Sequence, residues 1–179
     1  MGIRRFEDKV PQLGARVFVD PDATVIGDVV LGDDCSVWPR AVIRGDMHRI
    51  RIGARVSIQD NAVLHITHDS TFNPGGFSLT LGNDVTIAHQ AMLHGCTLGS
   101  RVMVGMQAVI MDGAVVDDEV IVAAGSLVGP GKHLASGYLY RGQPARAVRP
   151  LSDEERQFLS YVAGNYVRLK DRYLAQPAD

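Results

Sequence analysis

At 179 residues and 46% hydrophobic content, the chain can bury a sizeable core as one domain over 1–179. A formal charge of −2 and a pI near 6.3 exclude the basic face of a dedicated nucleic-acid binder, so no nucleic acid is expected as a partner. No apolar run approaches the length needed to cross a bilayer, and no membrane partner is expected. The N-terminal MGIRRFEDKVPQLG carries charges where a secretion signal needs its hydrophobic stretch. Phe6 stands where a myristoylation motif begun at Gly2 needs Ser or Thr. With only two cysteines, a reducing, cytoplasmic setting is the expectation.

Residues 1–16 show no clear periodicity and are read as a cap over an otherwise open edge. From 17 to 130 the chain is organised by a period of six. Val25, Leu31, Val37 and Ile43 start it; Ile52, Ile58 and Leu64 continue after a three-residue insertion. Leu81, Ile87 and Leu93 resume it beyond a longer interruption. Leu98, Val104, Ile110, Val116, Val122 and Val128 finish it, one residue having been deleted before Leu98. Small or β-branched residues such as Ala41, Ala62 and Ala91 stand four positions after most of these, and Cys35 holds one such inward place. A Cys35–Cys96 disulfide is therefore not expected. Six fits neither the 3.6 of a helix nor plain alternation; it marks hexapeptide repeats, with three hexads to a coil. In this the chain resembles the left-handed β-helix proteins, and the fold expected is mainly β: a left-handed parallel β-helix. The loop 66–80, with Asn73-Pro74-Gly75-Gly76, must leave the prism, and such loops often carry function.

After Val128 the period reads as lost, and 131–150 is taken as a connector. Residues 151–175 read as a C-terminal helix. Ser152 and Glu155 form a capping box, and Leu159, Val162, Tyr166, Leu169 and Tyr173 give an apolar stripe. At about 1.5 Å per residue the helix spans about 33 Å, or about six or seven coils, and is expected to pack along the prism.

Grouping the hexads in threes puts Ile43, Leu64, Leu93 and Ile110 at the start of one prism face in successive coils. The next residues, Arg44, His65, His94 and Met111, then stack in an outward column. Imidazoles one coil apart can reach one zinc-sized ion, whose ligand bonds are roughly 2.0–2.1 Å. Gln59 and His89 fall on the third face, too far for His89 to join the pair within one subunit. A neighbouring subunit across a threefold axis could supply it.

With Arg44-Gly45-Asp46, Ile58-Gln59-Asp60-Asn61 followed by His65, and Ala88-His89-Gln90-Ala91-Met92-Leu93-His94-Gly95, the chain resembles the gamma-class carbonic anhydrases over nearly its whole length. The resemblance implies a homotrimer with a Zn2+ site, or alternatively Fe2+, held by His65 and His94 of one chain and His89 of the next. It implies reversible hydration of CO2 to bicarbonate by a metal-bound hydroxide, that is, lyase activity. Gln59 would orient that group, Arg44 and Asp46 would pair across the interface, and Asp60 would join their network. Tyr166 would be the pocket tyrosine.

The pattern departs from the family at its proton relay. Met47-His48 follows Asp46 where the founding members carry a glutamate, and the loop holds no glutamate and one aspartate, Asp69. His68 is the candidate substitute, an imidazole with an ordinary pKa near 6.5 being suited to proton transfer. Three alternatives stay open. Gln143-Pro144-Ala145-Arg146 fits a hexapeptide acyltransferase using acyl-CoA, which needs one general-base histidine and no metal. A metal-dependent thioesterase acting on acyl-CoA is a variant of this. The third is a metal-binding scaffold without hydratase turnover.

Overall fold

In a computed structural model, which describes residues 2–177, the six-residue period becomes three flat faces of short parallel strands stacked coil on coil. Met1, Ala178 and Asp179 of the 1–179 domain lie outside the described residues. The first face is the ladder Val25, Ile43, Leu64, Leu93, Ile110, Val128. The second runs through Leu31, Ile52, Leu81, Leu98, Val116 and Leu134. The third runs through Val19, Val37, Ile58, Ile87, Val104, Val122 and Tyr140. Strands Thr24–Leu31 and Val42–Ile52 bend through a corner, so the first two faces join into one 12-stranded sheet. These inward aliphatics form a single buried core, each contributing about 1.5–3 kcal/mol. The small residues four places later, Ala62, Ala91 and Ala108 among them, are buried where the corner has no room for more.

One corner shows how local strain is offset. Arg16, Asp34, Arg55, Asp84, Arg101 and Glu119 each take a positive φ, and they stack one per coil with strictly alternating charge. Left-handed backbone costs a residue with a Cβ about 1–2 kcal/mol. Here each amide from Asp34 onward donates to a carbonyl of the coil before it. Arg16 pairs with Asp34, Arg55 with Asp84 at 2.7 Å, and Arg101 with Glu119 at 3.1 Å. Such surface pairs are worth about 0–1 kcal/mol each. What the row adds is that no coil meets a like charge at this corner.

The C-terminal helix α1 (Asp153–Leu174) uses the same row at both ends. Arg156 reaches Glu119 at 2.7 Å and Lys170 reaches Asp34 at 3.0 Å. Fourteen residues at about 1.5 Å give about 21 Å; the four coil steps from Glu119 to Asp34, at about 4.8 Å, give about 19 Å. The helix therefore lies along the third face with its rise matched to the stack. The capping box at Ser152 and Glu155 is formed as the sequence indicates. The buried stripe differs: Leu159 is buried, but Ala163 and Lys170 are its other fully buried members, while Tyr173 stays partly exposed against Phe18 and Trp38. Lys170 goes under because its ammonium finds Asp34 and Asp171 there.

The solenoid is longer than its sequence period. Ile3 pairs beside Val25 and Leu13 beside Leu31, so the N-terminal segment caps the stack by adding strands to it. At the other end Leu134 and Tyr140 continue the spacing from Val128 within the connector. Strand Ala145–Pro150 then turns back antiparallel on Tyr138–Gly142. Cys35 and Cys96 are both free and buried; burial pushes their thiols up to about 11 and about 12. No helix among the described residues is long and apolar enough to cross a membrane.

Candidate metal centre

The ladder that pairs Leu93 with Leu64 also pairs His94 with His65. Side chains at matching ladder positions stand one coil apart, and His65 Nδ1 lies 3.0 Å from His94 Nε2. Each ring is held from its far side. His65 Nε2 is 3.2 Å from Asp46 Oδ1, and His94 Nδ1 is 2.8 Å from Asp112 Oδ1. Asp46 in turn binds Arg44 two residues earlier on the same strand. The resemblance implies pairing of Arg44 with Asp46 between subunits; within one chain the two meet directly. Burial works against the Asp46 carboxylate, but Arg44 and His65 together outweigh it and hold its pKa below the usual range.

Proton counting shows what this row accepts. Three gaps, Asp46–His65, His65–His94 and His94–Asp112, each need one proton if carboxylates only accept. Two neutral imidazoles supply two. An imidazolium would supply a third, but burial, helped by the Arg44 charge, pushes the His65 pKa down despite Asp46. If both carboxylates are served by the two imidazole protons, the nitrogens 3.0 Å apart are left as facing lone pairs. A tetrahedral cation with bonds of 2.0–2.1 Å holds two nitrogens about 3.3 Å apart. The donor set fits such an ion.

Gln59, Asp60, His89 and Tyr166 are brought together elsewhere, at the third face and the corner after it. His89 Nδ1 is 2.9 Å from Asp60 Oδ2. Gln59 is buried beside Ile58. Tyr166 of α1 sits edge-on to Trp38 at 6.0 Å, and its hydroxyl pKa is raised by burial and then by the Asp60 charge. Among the described residues of one chain, no three His, Cys, Asp or Glu side chains gather to hold a metal. The His65–His94 pair and His89 thus stand on different faces of the chain. His68 is exposed on the loop, whose base is pinned by the paired backbones of Thr67 and Phe77.

Two clefts flank the histidine pair. One of about 480 Å³ is lined by Asp46, Met47, His48 and Asp69; the other, of about 490 Å³, by Asn73, Phe77, Asp112 and Pro130. Asp112 is the functional candidate that the sequence hides. It belongs to no motif and becomes visible only when His94 and the next coil are laid in register.

A family model described as bacterial transferase hexapeptide (six repeats) matches residues 11–45 and 95–130. Protein YrdA of Escherichia coli K12 is 55% identical over 174 residues, 97% of this chain and 95% of that protein. Gamma carbonic anhydrase 1, mitochondrial, of Arabidopsis thaliana is 40% identical over 96% of this chain. The chain belongs to the gamma-class carbonic anhydrase-like proteins of the hexapeptide-repeat family. It spans 62% of the Arabidopsis protein's length. A solved structure of a hexapeptide transferase family protein from Anaplasma phagocytophilum is 36% identical to this family member. That structure superposes with a TM-score of 0.86 over 96% of this chain and 97% of its own. The segments matched by the transferase-named model fall on repeat coils and leave out 46–94, where His65, His89 and His94 stand.

Proposed function

We propose that this chain is a metal-dependent, gamma-class carbonic anhydrase-like lyase acting as a homotrimer, which hydrates CO2 reversibly to bicarbonate. The observation that carries the reading is the pair of imidazole nitrogens 3.0 Å apart at His65 and His94, with His89 beside Asp60 on another face. His65 and His94 of one subunit and a neighbour's His89 would hold Zn2+ or Fe2+. Such an ion supplies Lewis acidity, lowering the pKa of a water from 15.7 toward about 7.

The protein's own groups do the positioning. Asp46 accepts a hydrogen bond from His65 Nε2–H and so leaves Nδ1 free, while Arg44 keeps Asp46 ionised. Asp60 does for His89 Nδ1 what Asp46 does for His65. Gln59, buried on the third face, offers an amide to orient the small substrate, and Tyr166 closes that side. His68, exposed on the loop, can hand the proton released at each turnover to solvent. A cytoplasmic setting agrees with two free thiols.

Elemental analysis of purified trimer, followed by stopped-flow CO2 hydration with zinc and with anaerobically loaded iron, tests this. About one ion per subunit and hydration faster than free metal are expected. Metal without turnover would leave a metal-binding scaffold. Similarity to the transferase-named structure supports a second reading, acyl transfer from acyl-CoA. Coenzyme A binding with activity surviving a chelator would favour it, and chelator-sensitive hydrolysis of acyl-CoA would mark a thioesterase instead.

A further inference from the structure

We propose that Asp112 is the positioning residue that fixes His94 as its Nδ1–H tautomer and so keeps the Nε2 lone pair aimed at His65. This rests on the metal-centre reading for its purpose, but its geometry stands by itself.

Asp112 arrives at His94 through a mismatch between two coils. Leu93 pairs with Ile110 and Leu98 with Val116, so five steps of chain lie beside six. The longer corner has a residue to spare, and Asp112 is that residue, folded back under the imidazole one coil away. Its Oδ1 is 2.8 Å from His94 Nδ1. Room for the carboxylate comes from Gly95. A Cβ there would stand 2.2 Å from Asp112 Oδ1 and 2.6 Å from the Phe77 Cβ, and the backbone φ of +51° suits glycine. The carboxylate is itself oriented, since the Thr67 hydroxyl donates to the same Oδ1 at 3.1 Å. Thr67 opens the loop and is tied to Phe77, which lies over Gly95 and Gly113. The base of the loop, the spared residue and the glycine therefore form one device around His94.

The consequence is a choice of tautomer. A ring nitrogen that donates to a carboxylate must carry the proton, and the other nitrogen is then a bare lone pair. A neutral imidazole left alone prefers the proton on Nε2, which here would point it at His65 and close the centre. An ionised Asp112 reverses that preference. Because it touches His94 and not the reacting atoms, Asp112 acts by positioning.

The full chain with 15N-labelled histidine gives the direct test without any metal. In the metal-free wild type at pH 8, two-bond 1H–15N correlations should show His94 protonated at Nδ1, and in Asp112→Ala protonated at Nε2. An Nε2–H tautomer in the wild type, or no change in the variant, overturns the proposal. Competition with a chromophoric chelator is the second readout. Asp112→Ala should bind zinc about 10–100-fold more weakly, and Asp112→Asn, which keeps an acceptor at the same place, should lose less. Equal affinity in wild type and Asp112→Ala also overturns it. A wild type that shows the Nδ1–H tautomer yet binds no zinc would defeat the metal reading and leave the positioning intact.

Discussion

His65 and His94 face each other at 3.0 Å because they occupy the same place in consecutive coils, one hexad position repeated one turn later. His94 is only partly buried and lies outside the core, so its imidazole can be removed with the prism standing. His94→Ala should strip the bound metal while lowering stability by less than about 1 kcal/mol. Metal content and urea unfolding of the same preparation check both halves of that statement.

The interior is far less forgiving. Ala91 is buried between Ala62 and Ala108 at the stacked corner, each carbonyl accepting a backbone hydrogen bond from the coil before it. Ala91→Leu should cost about 1–3 kcal/mol through overpacking, read from the denaturation midpoint.

Lys170 is fully buried and shares Asp34 with Arg16. Asp34→Asn leaves that ammonium with Asp171 alone and should destabilise by about 1–3 kcal/mol. Lys170→Met removes the charge together with its need for a partner, and should be neutral or stabilising. Lys170→Met/Asp34→Asn should therefore lose less than the sum of the single changes, as a double-mutant cycle will show.

The same carboxylate sets an acid limit. The Arg16 contact, followed by Lys170, holds the Asp34 pKa at about 2 against the opposing effect of burial. Arg149 and then the Ser152 amide hold Glu155 at about 2 as well. Both pKa values are lower in the folded chain, so between about pH 4 and pH 2 the unfolded chain binds more protons. Their contribution is present above about pH 4 and is lost as the pH falls toward 2. The gap in stability between wild type and Asp34→Asn should narrow across that window, and a gap independent of pH would contradict the assignment.

Trp38, the only tryptophan, reports on helix seating. Its indole N–H donates to Ser57 at 2.9 Å, and its ring packs at 5.3 Å on both Phe18 and Tyr173. Tyr173→Ser should loosen the last turns of α1 and shift Trp38 emission to the red with the solenoid intact. Unchanged emission would mean that the aromatic cluster does not hold the helix end.

The solenoid was legible because one physical constraint, an aliphatic side chain every sixth residue pointing into a prism, repeats across more than half the chain. The same rule, followed six residues at a time, would have reached Leu134 and Tyr140, but glycines and Pro130 around Val128 looked like an exit. Leu13 also lies on the spacing, two hexads before Val25 by way of Val19, whereas Ile3 stands beyond a stretch with no period. The column of Arg44, His65 and His94 could be read directly, since ladder register follows from hexad count. Asp112 could not, because its place depends on one corner being a residue shorter than its neighbour. The burial of Lys170 depends on Asp34 in the charged corner row and on Asp171, and helical spacing alone carries no sign of the first.

The most direct test of a centre divided between two chains is subunit mixing. His89→Ala and His94→Ala homotrimers should each bind no metal. Unfolded together in equal amounts and refolded, they should regain metal and hydratase activity at up to about a quarter of the sites, those where an intact His65–His94 pair meets an intact His89 across a head-to-tail interface. A mixture as empty as its two parents, or a single variant that keeps full metal by itself, would contradict the account.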